Sequence, residues 1–73
     1  MEQKSHRKIT QDEFVENMTN IVECCKNGVH PDVCVALAEI IAARALAERG
    51  WERGTIAFMN ALHDIRIVAR ERG

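Results

Sequence analysis

A chain of 73 residues with 47% hydrophobic side chains suits one small folded domain and is too apolar for a disordered tail. With a net charge of −1, the chain lacks the overall basic character of a typical nucleic-acid-binding protein. Residues 1–8 are polar and basic with no apolar run behind them, so we expect no secretory signal and a cytoplasmic protein with reduced cysteines.

Residues 1–9 form the first predicted segment, a flexible basic arm. Lys4, Arg7 and Lys8 lie here beside one apolar side chain after Met1. Such a segment is either a solvated tail or a charged docking arm. We assign residues 10–73 to a single three-helix domain.

The first helix is predicted to begin at Thr10, because Thr10 and Glu13 have the spacing of a capping box. Asn27-Gly28 is predicted to end it, glycine supplying the left-handed conformation. Its apolar residues fall on one narrow face: Phe14, Val15, Met18, Ile21, Val22 and Cys25.

The second helix is predicted from Pro31 to Arg49, with His30 at its start and Gly50 at its stop. Only Glu39 and Arg44 interrupt the apolar residues 33–47, and their side chains point about 140° apart. No polar side is left, so this helix must be covered nearly all round. A short chain has little else to cover it, which predicts self-association or a partner protein.

The third helix is predicted from Ile56 to about Glu71, with Thr55 as its cap and residues 50–54 as a connector. Its main apolar face contains Ala57, Phe58, Ala61, Leu62, Ile65, Val68 and Ala69. A second apolar cluster lies on the opposite side, where arginines and a histidine accompany it: Ile56, Met59, His63, Arg66, Ile67 and Arg70.

These elements predict an all-α fold, a compact three-helix domain of helical hairpins with short turns, packed as a homo-oligomer and most simply a dimer. The predicted oligomer core contains Leu37, Ile41, Leu46, Phe58 and Leu62. A membrane span is rejected, because the apolar run 33–47 is too short and carries two charges.

Cys25, His30 and Cys34 have a spacing similar to part of a zinc knuckle, and thiolate and imidazole are suitable zinc ligands. However, Cys24 and Cys25 are adjacent and point about 100° apart on a helix, and Cys25 belongs to the apolar face. We therefore interpret the cysteines as structural thiols and predict neither metal nor cofactor. A metal site and a redox switch are the alternatives.

Catalysis is not predicted. The three histidines are scattered, the one serine is Ser5, and no glycine-rich phosphate loop is present.

The leading hypothesis is a non-enzymatic interaction protein that self-associates and binds another protein as a regulator or inhibitor. Trp51 is either a plug over the end of the bundle or an exposed anchor. The predicted partner-binding residues are Trp51, Arg53, Met59, His63, Arg66 and Arg70. The alternatives are a nucleic-acid-binding regulator with a degenerate helix-turn-helix, and a binder of a small anion such as a nucleotide between subunits.

Overall fold

The computed structural model describes residues 9–72, apart from the side chain of Glu48. It is all-helical over this range, with α1 at Gln11–Lys26, α2 at Pro31–Arg49 and α3 at Glu52–Arg72. The three helices pack compactly against one another. The predicted arm lies outside the described residues except for Ile9, which is half-buried and packs against the core.

The predicted bounds of α1 and α2 are confirmed. At the start of α1, the Glu13 amide donates to Thr10 Oγ1 at 3.1 Å and the Thr10 amide donates to Glu13 Oε1 at 2.9 Å. At the start of α2, the Asp32 amide donates to His30 Nδ1 at 3.1 Å. Gly50 ends α2 with φ at 61°, the left-handed conformation in which glycine meets no steric penalty. Local sequence signals therefore determine where these two helices begin and end.

The predicted start of α3 is wrong. The helix begins at Glu52, four residues before Ile56, and only Gly50 and Trp51 separate it from α2. Thr55 is not a cap, because its hydroxyl donates to the Trp51 carbonyl at 2.8 Å from inside the helix. The Gly54 amide donates to Gln11 Oε1 at 3.2 Å, so α1 satisfies a donor in the first turn of α3.

The core lies between α1 and the inner sides of α2 and α3. The largest fully buried side chains are Phe14 and Met18 of α1 and Ile65 of α3. In α2 the buried residues are small, namely Cys34, Ala38 and Ala42. Small side chains let α2 approach the bulky face of α1 closely. The predicted apolar face of α1 is confirmed, with Val15 half-buried at its edge.

Polar contacts join the helix ends and give the topology. Arg53 Nη2 is 2.5 Å from Asp12 Oδ1, which places the starts of α1 and α3 together. At the other end, Arg72 Nη1 donates to the Val29 carbonyl at 3.2 Å and Arg72 Nη2 donates to the Cys25 carbonyl. The helices α1 and α3 therefore run in the same direction, with α2 antiparallel to both.

Candidate protein-interaction surfaces

The outward side of α2 is an apolar surface, which we call the α2 face and define by Val33, Leu37, Ile40 and Arg44. The exposed fractions of Val33, Leu37 and Ile40 are 49%, 45% and 57%. The inward side of the same helix holds only a cysteine and alanines among its fully buried residues. Larger apolar residues of α2, including Ile41 and Leu46, are half-buried against the core, so the three exposed ones are in excess of what this chain's own core uses. Exposed apolar surface of this kind is typical of protein-interaction sites.

A second apolar surface lies on α3. We call it the α3 face and define it by Ile56, Met59, His63, Arg66 and Arg70. Ile56 is 55% exposed and Met59 is 62% exposed, and the other three residues are also exposed. The sequence prediction of an outward cluster is confirmed in its placement, except that Ile67 is half-buried. Methionine and arginine together are typical of protein-binding surfaces.

An open groove of about 450 Å³ lies beside the α2 face, between α2 and α3. Leu46 and Phe58 form part of its lining, together with Ala42, Ala43 and Ala47. The charged residue among the described lining is Glu39. The groove therefore offers an apolar side chain a place to dock, while its carboxylate disfavours an anion.

The predicted oligomer-core residues divide into two groups. Ile41, Leu46, Phe58 and Leu62 are half-buried and pack against this chain's own core. Leu37 is not part of that core and lies exposed on the α2 face. Their role between subunits stays a prediction.

Trp51 and Arg53, two of the predicted partner-binding residues, already have partners inside the chain. The ring of Trp51 lies 6.0 Å from the Phe14 ring, and the Arg49 guanidinium lies 5.0 Å from the Trp51 ring centre. Arg53 pairs with Asp12. Trp51 packs against the core at this end of the bundle, as expected of a plug. The partner-binding roles of Trp51 and Arg53 stay predictions.

The cysteines gather at the opposite end of the bundle from Trp51. Cys24 is exposed, whereas Cys25 and Cys34 are buried and free. Burial raises the pKa of the Cys34 thiol. The charge and hydrogen bond of Cys25 raise it further, the charge of Cys24 raises it by a smaller amount, and Arg72 lowers it. Within residues 9–72 no group of three or more metal-binding side chains could hold an ion. His30 Nδ1 instead accepts the amide hydrogen of Asp32.

The raised pKa of Cys34 predicts that stability falls in alkaline solution. Above about pH 8.5 an exposed cysteine ionises, so the unfolded chain loses a proton that folded Cys34 keeps. The free energy of unfolding should therefore decline as the pH rises through this range and onward to the pKa of the folded thiol. Urea unfolding at pH 7.5 and 9.5 should show a smaller decline in Cys34→Ala than in wild type. Cys24→Ala is the control: it removes the exposed cysteine, whose raising effect on Cys34 is smaller than those of burial and Cys25, and should keep most of the wild-type decline. Equal declines in all three proteins would refute the assignment.

Comparisons with protein-family models, with curated proteins and with solved structures found no significant match. No helix in the described part of the chain has the length and apolar character needed to cross a membrane.

Proposed function

We propose that this protein is a non-enzymatic interaction protein that associates with itself and binds another protein, which it regulates or inhibits by covering its surface. The observation that carries the proposal is the exposure of large apolar side chains on the outward side of α2. Its large apolar residues Leu37 and Ile40 are exposed, while Ala38 and Ala42 are buried. Covering such residues removes apolar surface from water and stabilises the covered state.

The two faces suit different contacts. The α2 face is apolar along its centre and suits a second copy of the same chain. The α3 face combines exposed Ile56 and Met59 with the exposed arginines Arg66 and Arg70. Its complement is a protein surface with an apolar centre and flanking carboxylates, because arginine pairs with carboxylates in planar, two-bond geometry. One face can then assemble the protein while the other holds the target.

The nucleic-acid alternative has less support. The two-residue connection between α2 and α3 is shorter than the three or four residues of a helix-turn-helix turn. In the first turn of α3, Arg53 is paired with Asp12 rather than presented to a groove of DNA. The anion-binding alternative is weakened by Glu39, which would repel an anion in the groove between α2 and α3.

Photo-crosslinking from single positions tests the two contacts together. A benzophenone side chain replaces Leu37 in one variant and Met59 in another, with exposed Asn20 of α1 as the control position. We expect position 37 to form adducts with a second copy. We expect position 59, in a lysate of cells that naturally produce the protein, to form adducts with a different protein at a peptide rich in apolar and acidic residues. Position 20 should form neither.

The adduct from position 59 must also depend on the arginines. Adding Arg66→Glu and Arg70→Glu should abolish it, while the adduct from position 37 should persist. A stable monomer by light scattering at micromolar concentration, with no specific adduct from position 59, would overturn the proposed function. Retention on duplex DNA that weakens with salt would favour the nucleic-acid alternative instead.

A further inference from the structure

The four residues of the α2 face are spaced in a pattern that reads the same in both directions. Val33, Leu37, Ile40 and Arg44 follow one another at intervals of four, three and four residues, and they fall within about 60° of arc. Alternating steps of four and three are the spacing of a helix seam that packs against another helix. When two such helices run antiparallel, Leu37 of one copy meets Ile40 of the other at the centre.

The charges at the two ends of the face distinguish antiparallel from parallel pairing. Asp32 lies in the first turn of α2, next to Val33 at one end of the α2 face, and Arg44 forms the other end of that face; both are exposed. Arg44 forms neither a hydrogen bond nor an ion pair with any side chain that the structure describes, whereas the Asp32 carboxylate lies 4.0 Å from His30 Nδ1. Parallel pairing would set Arg44 against Arg44. Antiparallel pairing sets Arg44 of one copy beside Val33 and Asp32 of the other, and the two-fold symmetry repeats this contact at the other end of the pair.

We infer that two copies of this chain associate through an antiparallel pair of α2 helices, with Leu37 and Ile40 at the two-fold axis and an Arg44–Asp32 ion pair at each end. The inference rests on the proposed self-association and specifies its geometry. A second copy is the occupant because the face carries its own complement: its apolar centre matches itself and each end carries the charge opposite to that of the other end.

Introduced cysteines test the direction of the pair. In a Cys24→Ser background, Val33→Cys and Arg44→Cys are made singly and together, and oxidised glutathione is added. Antiparallel pairing brings position 33 of one copy next to position 44 of the other, within reach of a disulfide. It separates the two copies of position 33 by about 16 Å along the helix axis, at 1.5 Å per residue. We expect covalent dimer from the double variant and none from either single variant.

Charge reversal supplies an independent measurement without cysteines. Arg44→Asp should weaken the dimer at least about tenfold by light scattering over a dilution series, since it replaces each attraction with a repulsion. Adding Asp32→Arg should restore the dissociation constant to within about threefold of wild type. Met59→Asp, an equally disruptive change on the α3 face, should leave the dimer intact. Circular dichroism verifies that each variant folds.

Three results would contradict the antiparallel pair, and they differ in what they leave standing. Covalent dimer from Val33→Cys alone would show parallel helices and overturn the inference. A dimer by mass that yields no disulfide in any variant would place the contact elsewhere, leaving self-association itself intact. A wild-type monomer at every concentration would overturn both the inference and the self-association from which it proceeds.

Discussion

Replacing Phe14 with alanine is expected to leave the isolated chain largely unfolded at 25 °C. Phe14 is fully buried, and its ring lies 6.0 Å from that of Trp51. Truncating a buried phenylalanine costs about 3–5 kcal/mol, because apolar contact is lost and a cavity remains. The free energy of unfolding of a domain of this size is only about 3–5 kcal/mol, so the substitution would remove most or all of that stability.

Thermal unfolding followed by circular dichroism measures this effect. Phe58→Ala is the matched control, because Phe58 is half-buried beside the groove rather than enclosed. The control should remain folded with a lower melting temperature. Each kcal/mol is worth about 4–8 °C in a domain of this length, so a Phe14→Ala protein melting within about 5 °C of wild type would contradict the placement of the core.

The first two helices could be predicted from sequence because their signals are local. The capping box of Thr10 and Glu13, the proline at position 31 and the glycine at position 50 each act within one helical turn. The narrow apolar face of α1 can point only toward the core, so its buried residues follow from its periodicity. Neither argument needs knowledge of the rest of the chain.

The orientation of α2 could not be predicted in the same way. A helix with apolar residues on every side gives periodicity no preferred direction, so Leu37 and Ala38 are equally eligible for the core. The orientation of α2 is determined instead by the size of the α1 side chains that face it. Phe14 and Met18 of α1 fill the interior, which leaves room for Ala38 and Ala42 and turns Leu37 outward. The sequence predicted an uncovered surface without identifying which side of the helix would carry it.

The candidate surfaces also contain some residues that local spacing predicts and others that only the tertiary fold places. The α3 face follows from spacing, because its members recur on the side opposite a well-defined apolar face. Trp51 and Arg53 were harder to place, since both residue types are frequent in binding surfaces and in packed bundle ends. Their partners, Phe14 and Asp12, lie about forty residues away in the sequence. Contacts at that separation depend on the tertiary fold and leave no local pattern.

Gly54 carries the second large expected effect, because valine at this position should separate the start of α3 from α1. A Cβ atom on Gly54 would lie 3.1 Å from Trp51 Cβ and 3.2 Å from Phe14 Cδ2. Trp51 Cβ is bonded directly to the backbone and has little freedom to move. Overpacking of this kind costs about 1–3 kcal/mol, a large fraction of the stability of a small domain.

This crowding also explains why a glycine occupies the first turn of α3, at a position where the sequence predicts a connector. Gly54→Ala should cost less than Gly54→Val, because the helix preference of alanine, about 1 kcal/mol over glycine, offsets part of the crowding. Thr55→Val introduces the same side chain at the exposed neighbouring position and should be tolerated. Urea unfolding followed by the fluorescence of Trp51 measures all three, since it is the single tryptophan of the chain. A Gly54→Val protein as stable as Thr55→Val would mean that α1 and α3 do not approach at this point, and that the packing around Phe14 is looser than the distances require.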